Sequence, residues 1–263
     1  MLLCLDVGNT HILAGVFNGE NLNIRFRHAT NMVGTSDQFG IFLRNILQAN
    51  GVTHQQITAV AVCSVVPGIN YTVHHALNSY FKHADVFVLQ AGVKTGLNIR
   101  YKNPAEVGAD RIATAIGGAT AFPGQNMIIV DMGTATTFCA IGKGTEYLGG
   151  VILPGMRVSM ESLKSNTAKL MEVDIERQKA YLGKTTRESI QKGLFFGQRG
   201  ALREIIGGLK KEQFKGAPTT VIGTGGFSHM FRDDNIFDIL IPDLVLQGLK
   251  TAYEMSVKTT VAA

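Results

Sequence analysis

The sequence predicts an α/β protein built as two similar halves. Apolar, β-branched runs alternate with segments whose apolar residues fall at helical spacing. An apolar strand, an Asp-x-Gly turn and a second apolar strand occur in that order twice, at Asp6 and at Asp131, about half the chain apart. The 263 residues exceed the roughly 150 of one typical domain.

The elements follow in order. Leu2 to Val7 reads as a strand, Gly8-Asn9-Thr10 as a turn, Ile12 to Phe17 as a returning strand and Asn18-Gly19 as a hairpin signal. Leu22, Ile24 and Phe26 alternate, giving a third strand. Ser36 is the expected N-cap of a helix carrying Phe39, Phe42, Leu43, Ile46 and Leu47, and Gly51 stops it. A strand over Thr58 to Val62, a helix over 69–81 and a strand over Val86 to Leu89 complete the first alternation. Arg111 to Phe122 reads as a small-residue helix, and Met127 to Val130 and Thr137 to Ile141 as strands. The polar Pro123-Gly124-Gln125-Asn126 turn marks the boundary between domains 1–122 and 123–263. Thr185 opens a long helix to about Leu209, Thr220 to Ile222 is a strand, and Leu244 to Met255 a closing helix.

Composition excludes several classes. With 45% hydrophobic and 17% charged residues the chain is not disordered. Cys4, Cys63 and Cys139 sit in apolar runs, which reads as buried thiols in a reducing compartment, not a disulfide framework or a zinc site. No basic segment precedes the apolar Met1 to Leu5, so no signal peptide is read. Ile112 to Val130 is uncharged over nearly the length of a membrane span, but glycines and the Pro123 turn divide it. A soluble, cytoplasmic protein with no membrane association is expected. The net charge of +5 is scattered rather than striped among aromatics, which argues against nucleic-acid binding and weakly favours an anionic small substrate.

The repeated turn carries the chemistry. Glycine lets the backbone approach a phosphate, and successive N–H groups of a tight turn form an anion nest. Threonine hydroxyls add donors. The aspartates cannot bind phosphate directly, but they can hold a cation, or water around one, that bridges to it. Two facing halves would set both turns around one cleft. Gly223-Thr224-Gly225-Gly226 after a strand suits close approach to a base or ribose, yet it lacks the spacing of a dinucleotide fingerprint. Gly183-Lys184-Thr185 lacks the first glycine of a P-loop. Asp110-Arg111 at a helix start is either a cap with a surface charge or a general base beside an anion-binding arginine. His74-His75 makes a poor metal pair, His11 reads as a strand residue beside the turn, and Glu106 as supporting at most.

Together these residues resemble a known family. Asp6-Val-Gly-Asn-Thr10, Tyr101 with Asn103-Pro104, Gly108-Ala-Asp-Arg111, Asp131-Met-Gly-Thr-Ala-Thr136, Gly149-Gly150 with Pro154-Gly155, and Gly223-Thr-Gly-Gly226 are similar, in order, to the motifs of type III pantothenate kinases. The resemblance implies two ribonuclease-H-like domains of the actin-like ATPase superfamily, the acetate and sugar kinase, Hsp70 and actin fold. It implies phosphorylation of pantothenate by ATP, the first step of coenzyme A synthesis. By the same resemblance Asp6, Val7, Gly8, Asn9, Thr10, His11, Ile12 and Leu13 wrap the ATP phosphates, joined by Thr134. Asp131 binds a monovalent cation, potassium or ammonium, and magnesium arrives with ATP near Asp6. Asp110 is the general base. Tyr101, Gly108, Ala109, Asp110 and Arg111 hold pantothenate, and Thr186 reaches it from the neighbouring subunit of a homodimer. The apolar residues of the helix after Thr185 exceed one stripe, which suits either a second subunit or deep burial. Two rivals stay open: another kinase or phosphatase of the same fold, and a nucleotide-binding regulator that has lost catalysis. The presence of Asp6, Asp110 and Asp131 favours an enzyme.

Overall fold

The computed structural model describes residues 1–261; the last two residues of the predicted second domain lie outside them. Among the described residues, eleven strands and six α-helices are distributed over two compact units.

The first unit opens with β1 (Leu2–Val7), β2 (His11–Asn18) and β3 (Asn21–Ala29), an antiparallel meander. The β2–β3 turn is Gly19-Glu20, with Gly19 at φ +59°, so the glycine stands first in the turn, not second as Asn18-Gly19 suggests. Next come α1 (Ser36–Ala49), β4 (Ala59–Ser64), α2 (Pro67–Tyr80) and β5 (Asp85–Leu89). Thr35, not Ser36, caps α1. Its hydroxyl accepts from the Gln38 N–H at 3.3 Å, while Gln38 accepts from the Thr35 N–H at 2.8 Å. The partner three residues on decides between two good capping residues.

β4 pairs parallel with both β1 and β5, giving the sheet order β3-β2-β1-β4-β5. Leu3, Leu5, Val7, Val60 and Val62 meet Phe39, Leu43 and Leu47 of α1 and Val73 and Leu77 of α2 in one core. Fully burying such side chains is worth about 1.5–3 kcal/mol each. Strand alternation turns Cys4, Asp6 and Cys63 to the opposite face.

β6 (Asn98–Ile99) belongs to the second unit, and α3 (Ala109–Ala121) returns to the first. The second unit continues with β7 (Asn126–Met132), β8 (Ala135–Gly142), β9 (Glu146–Pro154), α4 (Met156–Ser165), α5 (Thr186–Phe214), β10 (Thr219–Thr224) and β11 (Ile239–Leu240). Its sheet runs β11-β10-β7-β8-β9-β6. Without β6 this is the order of the first sheet, with the same antiparallel meander and the same parallel partners. The sequence echo is therefore a repeat of topology. Ile128, Val130 and Met132 face Met156 and Met160 of α4 and Leu194, Phe195 and Leu202 of α5. Asp131 is turned the other way, as Asp6 is in the first sheet.

α6 (Leu244–Val261) closes the chain, and here the domain division differs from the sequence-based one. Among the described residues the first unit comprises 1–97, 101–120 and 244–261, and the second 98–100 and 121–243. α6 packs on β1, β4 and β5 of the first sheet. Its amphipathic pattern specifies a helix but not which sheet it covers. A Cβ on Gly248 would fall 1.8 Å from the Ala113 carbonyl oxygen of α3, so the glycine lets the two helices touch backbone to backbone. Lys250, also on α6, is buried and paired with Glu20 at 2.9 Å and Glu254 at 2.8 Å. Among the described residues no helix is long and apolar enough to cross a membrane.

Gly248→Ala must part α3 from α6 and is expected to cost about 1–3 kcal/mol, as overpacking does. Gly208→Ala, where the added carbon meets nothing within 4 Å, is expected to be neutral or to stabilise by up to about 1 kcal/mol. Denaturant unfolding of the two variants beside the parent chain measures both.

Candidate functional site

In the first unit the site begins where β1 ends. Asp6 is the last half-buried residue before the turn, and the Gly8 N–H donates to the His11 carbonyl at 3.1 Å to close it. A Cβ on Gly8 would lie 3.0 Å from that same oxygen, so glycine suits the turn's tightness. Thr30 fastens the turn from β3's end: its hydroxyl donates to the Gly8 carbonyl at 2.7 Å and its N–H to the Thr10 carbonyl at 3.0 Å. Val7 and Ile12 are buried in the core, so only their backbone can meet a ligand; Asn9 and His11 are exposed.

The β4–α2 loop lies beside this turn. The Val65 N–H donates to the Val7 carbonyl at 3.0 Å. Across from Asp6, directly in register, stands Cys63, whose thiol donates to Asp6 Oδ1 at 3.4 Å. Burial pushes the Cys63 thiol well above its usual pKa, and the charges of Asp6 and then Asp110 push it further. Both carboxylates therefore bear on one buried thiol at this end of the sheet.

Asp110 is the second residue of α3. Its Oδ1 accepts from the Arg111 N–H at 2.7 Å. A Cβ on Gly108 would stand 2.6 Å from the same oxygen and 3.4 Å from Val65, so glycine admits the carboxylate against the loop. Burial raises the Asp110 carboxyl above its ordinary value, against the lowering effects of the Arg111 N–H and guanidinium. The arginine is 8% exposed, with its guanidinium carbon 5.9 Å from the centre of the Tyr101 ring. It is not a surface charge. Tyr101, Gly108, Ala109, Asp110 and Arg111 are thus one cluster, with Ala109 buried. Glu106 is exposed and accepts from Asn103 Nδ2 at 3.0 Å, so it braces the loop ahead of α3.

In the second unit the turn after β7 repeats the device. The Gly133 N–H donates to the Ala135 carbonyl at 3.0 Å. A Cβ on Gly155 would meet the Thr134 and Gly133 carbonyl oxygens at 2.3 and 2.6 Å, so Pro154-Gly155 hugs the turn, with the Gly155 N–H donating to Thr134. Gly225, at φ +83°, would put a Cβ 2.3 Å from Asp131 Oδ1. Much of the glycine pattern at 223–226 thus answers packing inside the unit, with Gly223 held against Phe237 and Leu240. Thr134 is exposed, while Thr136 is buried and accepts from Gln198 Nε2 of α5 at 2.9 Å.

Among the described residues no three His, Cys, Asp or Glu side chains gather as a metal cluster. A monovalent ion does not require one. The Asp131 carboxylate beside the turn after β7 is the oxygen donor that could hold a hard cation there.

Thr186 is the first residue of α5, after the Thr185 cap, whose hydroxyl accepts from the Glu188 N–H at 3.1 Å. It is exposed on a groove of about 680 Å³ with Pro154, Val158, Leu163, Ile190 and Leu194. The apolar excess of α5 is satisfied within the chain: Ile190, Leu194, Phe195, Leu202 and Ile206 are buried. Exposed apolar surface instead lies before the helix, at Tyr181 and Leu182.

A family model described as type III pantothenate kinase matches residues 2–207. A type III pantothenate kinase of Legionella pneumophila is 50% identical over 256 residues, covering 97% of this chain and 99% of the relative. Among solved structures, a Campylobacter jejuni chain assigned to a Baf family of transcriptional activators superposes with a TM-score of 0.61 at 18% identity, over 97% of this chain and 99% of its own. A Sinorhizobium meliloti chain assigned as a 2-dehydro-3-deoxygalactonokinase gives 0.60 at 12% identity over the same shares. At these identities the likenesses show the fold alone.

Because burial raises the Asp110 carboxyl, its ionised form costs folding stability. The penalty is absent below the unfolded aspartate pKa and grows as pH rises through the folded one. Asp110→Asn, which keeps the Oδ1 acceptor, is expected to melt higher than the parent at neutral pH. The gap should shrink on titration to acid. Melting temperatures across that range check the sign.

Proposed function

We propose a role for each residue of the site from the premise that this chain belongs to the type III pantothenate kinase family. It is a phosphotransferase that makes 4′-phosphopantothenate and ADP from pantothenate and ATP, opening coenzyme A synthesis.

Asp110 is the general base. The observation that carries this is its burial at the start of α3, with Oδ1 held by the Arg111 N–H and the carboxyl raised above the ordinary aspartate range. A raised base holds a proton better once it takes one. As the primary hydroxyl of pantothenate attacks the γ-phosphorus, the O–P bond to ADP breaks in line and the hydroxyl proton passes to Asp110. Arg111, buried against Tyr101, pairs with the pantothenate carboxylate. The turn from Asp6 to Leu13 meets ATP phosphates through backbone N–H groups, with Thr134 serving the same end. Asp6 is the carboxylate that would hold the magnesium that comes with ATP, whose charge would offset that of the phosphates.

The Asp131 turn is the residence of potassium or ammonium, whose charge would offset that of the phosphates when bound. Catalysis rests on positioning and charge neutralisation, as phosphoryl transfer does generally. The protein acts in the cytoplasm as a homodimer, without nucleic acid. The exposed Tyr181 and Leu182, shortly before Thr186 in the chain, support a subunit contact there, with Thr186 reaching the neighbour's pantothenate.

Asp110→Asn is expected to lower kcat by roughly 10²- to 10⁴-fold, the usual range for a lost general base, with MgATP affinity retained. Turnover at the parent rate would remove Asp110 from the reaction. Activity is also expected to need potassium or ammonium and to be small in sodium alone. Asp131→Asn should blunt that activation. A rate flat across a cation titration at constant ionic strength would exclude the assignment.

A further inference from the structure

The Cys63 thiol is a buried reactive group that phosphoryl transfer does not use. It is 0% exposed, at the end of β4. Parallel pairing sets it in register with Asp6, and its Sγ lies 3.4 Å from Asp6 Oδ1 as donor. Both residues are on the sheet face opposite the α1–α2 core, so both point the same way. The thiol donates to Asp6 Oδ1, so its proton is directed at that carboxylate.

We propose that Cys63 is a positioning residue for Asp6, its S–H selecting the carboxylate rotamer that the first phosphate turn presents to MgATP. A carboxylate at a strand end has a broad terminal torsion, so a donor fixed on the neighbouring strand can decide its orientation. The donor is weak, but its acceptor is charged and the thiol itself is fully buried, which makes the bond count. The inference rests on the reading of Asp6 as the carboxylate beside magnesium. The competing account is that Cys63 only fills space as a small apolar side chain.

Steady-state kinetics of the whole enzyme separates the two. Cys63→Ala removes the donor, Cys63→Val removes it while keeping the volume filled, and Cys63→Ser keeps a donor. Loss of the donor is expected to raise the KM for MgATP by about 3- to 10-fold in both the Ala and Val variants, the scale of one ordinary hydrogen bond, as suits a weak thiol donor, with the KM for pantothenate unchanged. Cys63→Ser is expected to stay within about twofold of the parent. In the background of Asp6→Asn, Cys63→Ala is expected to add little further, the mark of two residues acting as one. A parent-like MgATP KM in both Ala and Val variants overturns the proposal, as does a Ser variant impaired as much as Ala. Asp6→Asn discriminates the failures. If it raises the MgATP KM while the Cys63 variants do not, only the positioning role falls. If it leaves the MgATP KM unchanged, the reading of Asp6 falls and takes the positioning role with it.

Discussion

One constraint recurs through the molecule: a buried central strand, paired antiparallel on one side and parallel on the other, ends in an aspartate followed by a glycine turn. Asp6 occupies that place on β1 and Asp131 on β7. Both neighbours of such a strand fix its register, so the carboxylate at its end has little freedom to shift along the chain. Alternation then decides its face. In each sheet the residues on either side of the aspartate go into a helical core, Leu5 and Val7 in one and Val130 and Met132 in the other. A slip by one residue would bury the aspartate there instead. The apolar cores therefore hold the charged groups in place without touching them.

The turns depend on close contacts that only glycine allows. Gly8 fits its own turn, Gly155 lies on the carbonyls of Gly133 and Thr134, and Gly225 lies on Asp131. Asp110 obeys a similar rule, because Gly108 leaves room for its carboxylate. The same burial that raises the Asp110 carboxyl costs stability when it ionises. The raised carboxyl is thus held at the expense of folding.

The local devices are legible in the sequence. The Asp-x-Gly turns, the strands leading into them and the long α5 all follow from periodicity and turn chemistry, and the topology of the two sheets repeats as the turns do. Contacts set by distant pairing are not legible. Cys63 reads as one more apolar strand residue until β4 is laid beside β1. Gln198 reads as a polar interruption in α5 until its amide meets Thr136. Periodicity misses β9 and α4, because Gly149-Gly150 interrupts the alternation of β9 and Gly155 opens α4 with no side-chain cap. Chain order alone puts α6 in the second domain; its glycine contact with α3 puts it in the first. The apolar excess of α5 suggests a partner, yet α5 is long enough to spend it against its own sheet, α4 and the segments around Val173 and Phe231.

The central claim is that the backbone of the first turn, shaped by Gly8, binds the phosphates of ATP. Gly8→Ala tests it most directly, since a Cβ there meets the His11 carbonyl at 3.0 Å and must move the turn, while the pantothenate cluster at Tyr101 to Arg111 keeps its residues. Calorimetric titration is expected to show MgATP binding weakened by roughly tenfold or more, about 1.4 kcal/mol, with pantothenate affinity unchanged. A correctly folded Gly8→Ala protein that binds MgATP as tightly as the parent would contradict the account.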